Sequence, residues 1–195
     1  MAPATAGNAF NPAISLILSG TYTNLSQDPA DYRITGFIPG GEIEPGSRGF
    51  SLAESELIVS ANIDPNFYGY LTLALSPENE LGVEEAAIQT TTLGHGLTAK
   101  AGRFYSGIGY LNEQHPHAWD FVDAPLAYKA FLGRQYGNDG MQLKWIAPTD
   151  TFLEFGAEAG RGSNFPGSER NKNGVGSYAL FAHLGDDIGT DHSWR

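Results

Sequence analysis

Residues 53–76 read AESELIVSANIDPNFYGYLTLALS, and their alternation decides the fold class. From Ala53 to Asp64, Leu57, Val59, Ala61 and Ile63 share one side, opposite Glu54, Glu56, Ser60, Asn62 and Asp64, with Ile58 as the exception. Asp64-Pro65-Asn66 is a turn signal. Beyond it Phe67, Gly69, Leu71, Leu73 and Leu75 oppose Tyr68, Tyr70, Thr72 and Ser76. A period of two over ten residues, a tight turn and a second such run describe two antiparallel strands, each apolar on one side and polar on the other.

The same rule works outward in both directions. Residues 13–23 place Ile14, Leu16, Leu18, Gly20 and Tyr22 against Ser15, Ser19, Thr21 and Thr23, with Ile17 as the exception. Residues 81–92 are less regular, because Glu85, Gln89 and Thr91 share a side while Glu84 falls with the apolar set; Thr90-Thr91-Thr92 favours a strand. In residues 97–105, Lys100 and Arg103 have opposite parity, which a bulge at Gly102 would reconcile. Met141, Leu143, Trp145 and Ala147 oppose Gln142 and Lys144; Leu153, Phe155, Ala157 and Ala159 oppose Glu154, Gly156 and Glu158; Tyr178, Leu180, Ala182 and Leu184 oppose Ser177, Ala179, Phe181 and His183. The expectation is a short N-terminal extension, residues 1–12, and a β segment, residues 13–195, of eight strands with a ninth starting at Ser193.

Connection lengths add a second signal. The expected loops at 26–50, 106–139 and 161–174 are long and alternate with tight turns at 64–66, 93–96 and 148–150. An up-and-down antiparallel meander gathers alternate connections at one end, so three of the four connections at one end are long, the turn at 77–80 being the fourth, and tight turns gather at the other. Short turns at one end and long loops at the other are the layout of a transmembrane β-barrel. A soluble β-sandwich, a binding module for sugars or a protein partner through Trp119, Tyr110 and Tyr128, predicts the same alternation but has no reason to sort its loops.

Composition narrows the classes further. The chain has 195 residues, no cysteine, 22 acidic against 11 basic side chains and 17% charged residues. Absence of cysteine excludes a disulfide scaffold, a thiol nucleophile and a cysteine-ligated zinc site. The formal charge of −11 argues against a nucleic acid partner. No apolar run is long enough for a membrane helix, which leaves a strand-crossing protein open. Glu54 and Glu56 have a spacing compatible with acid-base work, but no nucleophile accompanies them, and an enzyme is not expected.

The run GLTAKAGRFYSGIGYLNEQHPHAWDFVDAPLAYKAFLG, ending at residue 133, resembles a stretch of porin-like outer-membrane proteins. These are related to the phosphate-selective porin group and to bacterial proteins described as zinc-regulated TonB-dependent outer-membrane receptors. GFSLAESELIVSANIDPNFYG and GVEEAAIQTTTL fit the same pattern, so the resemblance spans residues 10–195. It implies an all-β, antiparallel, up-and-down transmembrane barrel of more than nine strands, of which this chain is the N-terminal half. It also implies a bacterial outer-membrane location, outer-membrane lipid as surroundings and small solutes or ions as cargo. Whether it forms a homo-oligomer stays open. Within these residues neither a plug domain with a TonB box nor a C-terminal strand ending in an aromatic residue is visible, so neither energy-coupled transport nor independent membrane insertion of this stretch is expected, and a signal peptide is expected to lie outside it.

In a barrel the polar sides face the lumen. That makes Glu54, Glu56, Glu85, Glu154, Glu158 and Lys144 the expected pore lining, an acidic wall that draws cations. The loop after Tyr105 is expected to fold inward as a constriction carrying His115, His117, Trp119 and Asp120. No resident cofactor is expected beyond a divalent metal ion, for which Glu113, His115, His117 and Asp120 are the candidate ligands, since imidazole nitrogens and carboxylate oxygens suit zinc-like ions. Pro116 is expected to hold the chain extended there and point the two rings apart.

Overall fold

A computed structural model describes residues 12–168 and 171–195; the expected N-terminal extension lies, apart from Pro12, outside the described residues. The chain is all-β and antiparallel. Among the described residues the strands are β1 (Ala13–Ile17), β2 (Gly20–Thr23), β3 (Gly49–Leu52), β4 (Ser55–Asp64), β5 (Phe67–Leu75), β6 (Leu81–Thr90), β7 (Leu97–Tyr105), β8 (Gly137–Ile146), β9 (Phe152–Gly160), β10 (Ser177–Ile188) and β11 (His192–Trp194). One helix, α1 (Leu126–Leu132), lies between β7 and β8. It starts after Pro125 and stops at Gly133, whose φ of 65° is the left-handed cap that glycine adopts freely.

Nine strands form one sheet in the order β1-β4-β5-β6-β7-β8-β9-β10-β11, while β2 and β3 form a separate pair. The meander and its sorted connections therefore hold. Residues 18–54, 106–136 and 161–176 are long excursions at one end, where 76–80 is the one short link, and 65–66, 91–96, 147–151 and 189–191 are short links at the other. The β4–β5 turn closes on Asp64, whose Oδ1 accepts from the amides of Asn66 at 2.7 Å and Phe67 at 2.9 Å. The β6–β7 turn is carried by Gly94, His95 and Gly96, all with positive φ.

Three details differ from the sequence reading. First, the strand expected over 13–23 breaks at Leu18-Ser19. β1 follows β4 only as far as Ile17 against Glu56, and the chain then leaves to pair Gly20–Thr23 with Gly49–Leu52, a strand at the end of the expected 26–50 loop where none was expected. Tyr22 accordingly packs on Phe50 at 4.9 Å in the small sheet, apart from the main wall. Second, the bulge is at Glu84 and not at Gly102. Thr72 pairs with Glu85 and Leu73 with Val83, so Glu84 is the extra residue. The irregular parity of residues 81–92 is this bulge. Third, pairing through Gly102 is unbroken, and Lys100 and Arg103 simply occupy opposite sides. Lys100 sits over the rings of Tyr70 and Phe104, and Arg103 pairs on the other side with Asp139 at 2.7 Å.

The burial of the two sides decides where the core lies. Leu180 is 81% and Tyr178 77% exposed, and Met141, Leu143, Trp145 and Phe155 are exposed on the same apolar side. On the polar side Glu56 is 1% exposed, and Thr72, Gln142, Glu154 and His183 are buried with it. Trp145 stacks on Phe155 at 6.0 Å where short turns join the strands, with Phe67 exposed at the same end. The buried layer is therefore polar, and segment 106–136 is what covers it.

Candidate functional site

The covering segment is fastened first at its own base. Asn112 is fully buried; its Nδ2 donates to the carbonyls of Ser106 at 2.7 Å and Tyr136 at 2.8 Å, and its Oδ1 accepts from the Tyr136 amide at 2.7 Å. The Ser106 amide also donates to the Tyr136 carbonyl at 2.9 Å. Gln135 Nε2 adds bonds to the carbonyls of Asn112 and Gln114. One side chain thus satisfies backbone groups from both legs of the excursion, which a buried turn needs because water cannot reach them. Inside it, Trp119 is half-buried, donates from Nε1 to the Gln114 carbonyl at 2.8 Å and carries the Arg134 guanidinium over its ring.

The tip then reaches the strands. Residues 116–118 form a 3-10 turn after His115, so the rings of His115 and His117 stack at 5.8 Å and point the same way, contrary to the expectation from Pro116. His117 Nδ1 donates to Glu56 Oε1 at 2.8 Å, and His115 Nε2 to Glu85 Oε2 at 2.9 Å. His115 Nδ1 stands 3.3 Å from Glu56 Oε2 and 3.2 Å from Glu84 Oε2. None of those three atoms has a hydrogen-bond partner. The remaining oxygen of Glu84 accepts from the Tyr105 hydroxyl at 3.0 Å.

Burial works against an imidazolium at His115, but the close carboxylates of Glu56, Glu84 and Glu85 overcome it, and its pKa is pushed up to about 12 from 6.5. Glu54, beside them before β4, is raised to about 7 from 4.5 by burial first and by the charge of Glu84 second.

A second contact zone joins β8, β9 and β10 to the start of the excursion. Glu154 lies 3.3 Å from Lys144 Nζ and 3.0 Å from His183 Nδ1, and His183 Nε2 donates to the Gly107 carbonyl at 2.9 Å. Glu158 Oε1 accepts from Gln142 Nε2 at 2.7 Å and from the Gly107 amide at 2.8 Å. Phe181 fills the space beside Gly107 and Gly156, where any Cβ would overlap its ring. Strands as far apart in the sheet as β4 and β10 thus meet one short segment, which a curled sheet allows.

The expected lining residues all lie on the covered side: Glu56 and Glu154 buried, Glu54, Glu85, Glu158 and Lys144 half-buried. The expected metal quartet is not brought together. Only His115 belongs to the group of possible ligands that converge, Glu56, Glu84 and His115. His117 is one hydrogen bond behind Glu56; Glu113 faces Arg195 at 3.9 Å; Asp120 is exposed. Sequence reasoning missed Glu84 because the bulge reverses its side, and missed Asn112 because nothing local marks it. His183 and Gln142 sat on the polar parity of their strands, which was the available signal.

No family model matches the chain, and no solved structure matches it. A protein of Aquifex aeolicus (strain VF5), described as an uncharacterized protein, is 39% identical over 165 residues, which cover 80% of this chain and 35% of that relative. The chain therefore spans about a third of the length of the relative it matches.

Proposed function

We propose that this chain is part of the wall and the infolded loop of a porin-like outer-membrane β-barrel that passes small solutes or ions, with preference for cations. The observation that carries the reading is the inverted layering: the apolar side of the nine-stranded sheet is exposed and the polar side is buried beneath segment 106–136. In water an exposed apolar sheet face of this extent is an unfavourable surface, whereas in a bilayer it is the required one. The Arg103–Asp139 pair on the apolar side fits this layout, because it sits near the long-loop end, where a barrel strand leaves the hydrocarbon for the interface.

Small solutes would pass along the polar side, between the wall and the loop. Six acidic groups face that space, Glu54, Glu56, Glu84, Glu85, Glu154 and Glu158. Their neighbours of fixed opposite charge are fewer: Lys144 on the wall, Lys100 between two aromatic rings and Arg134 on the loop, while the imidazoles of His115, His117 and His183 meet the carboxylates by hydrogen bonds. The acidic excess lowers the energy of a cation in the passage and raises that of an anion.

Two measurements on the full-length protein test the proposal. Density-gradient fractionation of expressing cells is expected to place it with outer membranes, and planar-bilayer recordings under a salt gradient are expected to give a cation-selective reversal potential. Recovery as a monomer from detergent-free buffer would sink the barrel reading in favour of a soluble β-sandwich. Anion selectivity would sink the acidic lining alone.

A further inference from the structure

We propose that Glu56, Glu84 and His115 form a binding site for one divalent transition-metal ion of zinc's size, which pins the infolded loop to strands β4 and β6. Each residue uses one polar atom to hold itself in place and leaves the other free. Glu56 Oε1 is held by His117 Nδ1, Glu84 Oε1 by the Tyr105 hydroxyl and His115 Nε2 by Glu85 Oε2. The free atoms are Glu56 Oε2, Glu84 Oε2 and His115 Nδ1, all buried and all without a hydrogen-bond partner. They lie within 4.8 Å of one another, and Glu56 is 1% exposed.

The spacing suits an ion better than a hydrogen bond. Ligands about 2.0 Å from a tetrahedral centre stand about 3.3 Å apart, and Nδ1 is 3.3 Å and 3.2 Å from the two oxygens. Both oxygens face Nδ1 as ion-pair partners, but neither meets it with the alignment of a hydrogen bond. The Glu85 carboxylate on Nε2 is the second partner that a metal-ligating histidine ordinarily has: it fixes the tautomer and turns the Nδ1 lone pair toward the ion. An imidazole with two carboxylate oxygens selects borderline ions such as zinc over calcium or magnesium, which take oxygen ligands in larger number. Charge agrees, since Glu54, Glu56, Glu84 and Glu85 crowd two histidines. Binding would release the Nδ1 proton to solvent and put a double charge in its place. The site does not depend on the membrane reading, because every ligand and every anchoring contact lies within this chain.

Full-length protein in detergent, stripped with EDTA and titrated with zinc chloride, is expected to bind one zinc per chain and keep it through gel filtration. Glu84→Gln and His115→Gln are each expected to weaken binding at least about tenfold, and Glu85→Gln, which meets the ring at Nε2 and also accepts from the Tyr70 hydroxyl and the Tyr105 amide, to weaken it by about tenfold or more. Glu113→Gln and Asp120→Asn should bind as the parent does. Circular dichroism checks strand content in every variant, and if Glu84→Gln does not fold, Tyr105→Phe, which frees the other Glu84 oxygen, replaces it. A parent that retains no zinc, or folded Glu84→Gln and His115→Gln proteins with affinity within about twofold of the parent, would overturn the site. Membrane fractionation and conductance are read separately, so failure of the channel reading leaves this result standing, and the reverse.

Discussion

Asn112 shows how much one buried side chain can hold. It satisfies a carbonyl of Ser106 and both the carbonyl and the amide of Tyr136, so Asn112→Ala leaves buried backbone groups without partners. Each such group costs about 1–3 kcal/mol. The expected outcome is a loosened excursion, measured as tryptic cleavage after Arg134 under conditions where the parent resists. His115 carries a pH dependence of definite sign. Its folded-state pKa, about 12, lies above its ordinary 6.5. Its contribution to stability is complete below pH 6.5 and is lost as pH rises toward 12. Glu54, raised from 4.5 to about 7, acts in the same sense at lower pH. In EDTA, denaturant midpoints should therefore fall steadily with rising pH, and His115→Gln should flatten the alkaline part of that slope. A midpoint rising from pH 7 to 10 would contradict this.

Among the elements, β6 and β7 show why a strand's side assignment can fail at one residue. A period of two assigns sides only while every residue is paired, and the extra residue at Glu84 puts two consecutive carboxylates on the polar side. Without the bulge, Glu84 would face outward, away from His115. On β7, Gly102 has φ of +132°, and a Cβ there would stand 2.2 Å from the Ala86 carbonyl oxygen. Gly102→Ala is therefore expected to destabilise by at least about 1–3 kcal/mol from backbone strain alone, before the clash is counted. Denaturation in detergent measures it, and a midpoint unchanged from the parent would show that β7 relaxes there. The β1–β2 break is a similar case. Residues 13–23 alternate with Ile17 as the one exception, but the partner changes from β4 to β3 at Ser19, whose amide donates to Ser55 Oγ and whose carbonyl accepts from Ala53. A strand's pattern records sides and not partners.

At the scale of the molecule the exposed apolar side makes the sharpest division between a lipid-facing and a water-facing sheet. Leu180 stands near the middle of β10 and is 81% exposed. Leu180→Lys in water is expected to change stability by at most about 0.5 kcal/mol. At the midplane of a bilayer it costs about 2–4 kcal/mol. Folding yield and unfolding in lipid vesicles, compared between the parent and this variant, read the difference directly. A cost in the upper range supports the lipid-facing wall, and a neutral outcome in vesicles contradicts it. Replacing the inward Gln142 by Lys serves as the matched control for a charge placed on the other side of the same sheet.

The sequence by itself determined the all-β antiparallel meander, the end at which its long connections gather, and the sides on which Glu56, Glu85, Glu154, Glu158 and Lys144 lie. Those follow from local physics: side chains alternate along a strand, and turn residues mark where it ends. Only the tertiary structure decided which side is buried, because alternation is symmetric and burial depends on what packs against each face. It also decided that Glu84 joins Glu56 and His115, and that Glu113 and Asp120 do not. That grouping depends on one unpaired residue in β6 and on a loop whose ends Asn112 ties together, contacts between residues far apart in the chain that no periodicity records.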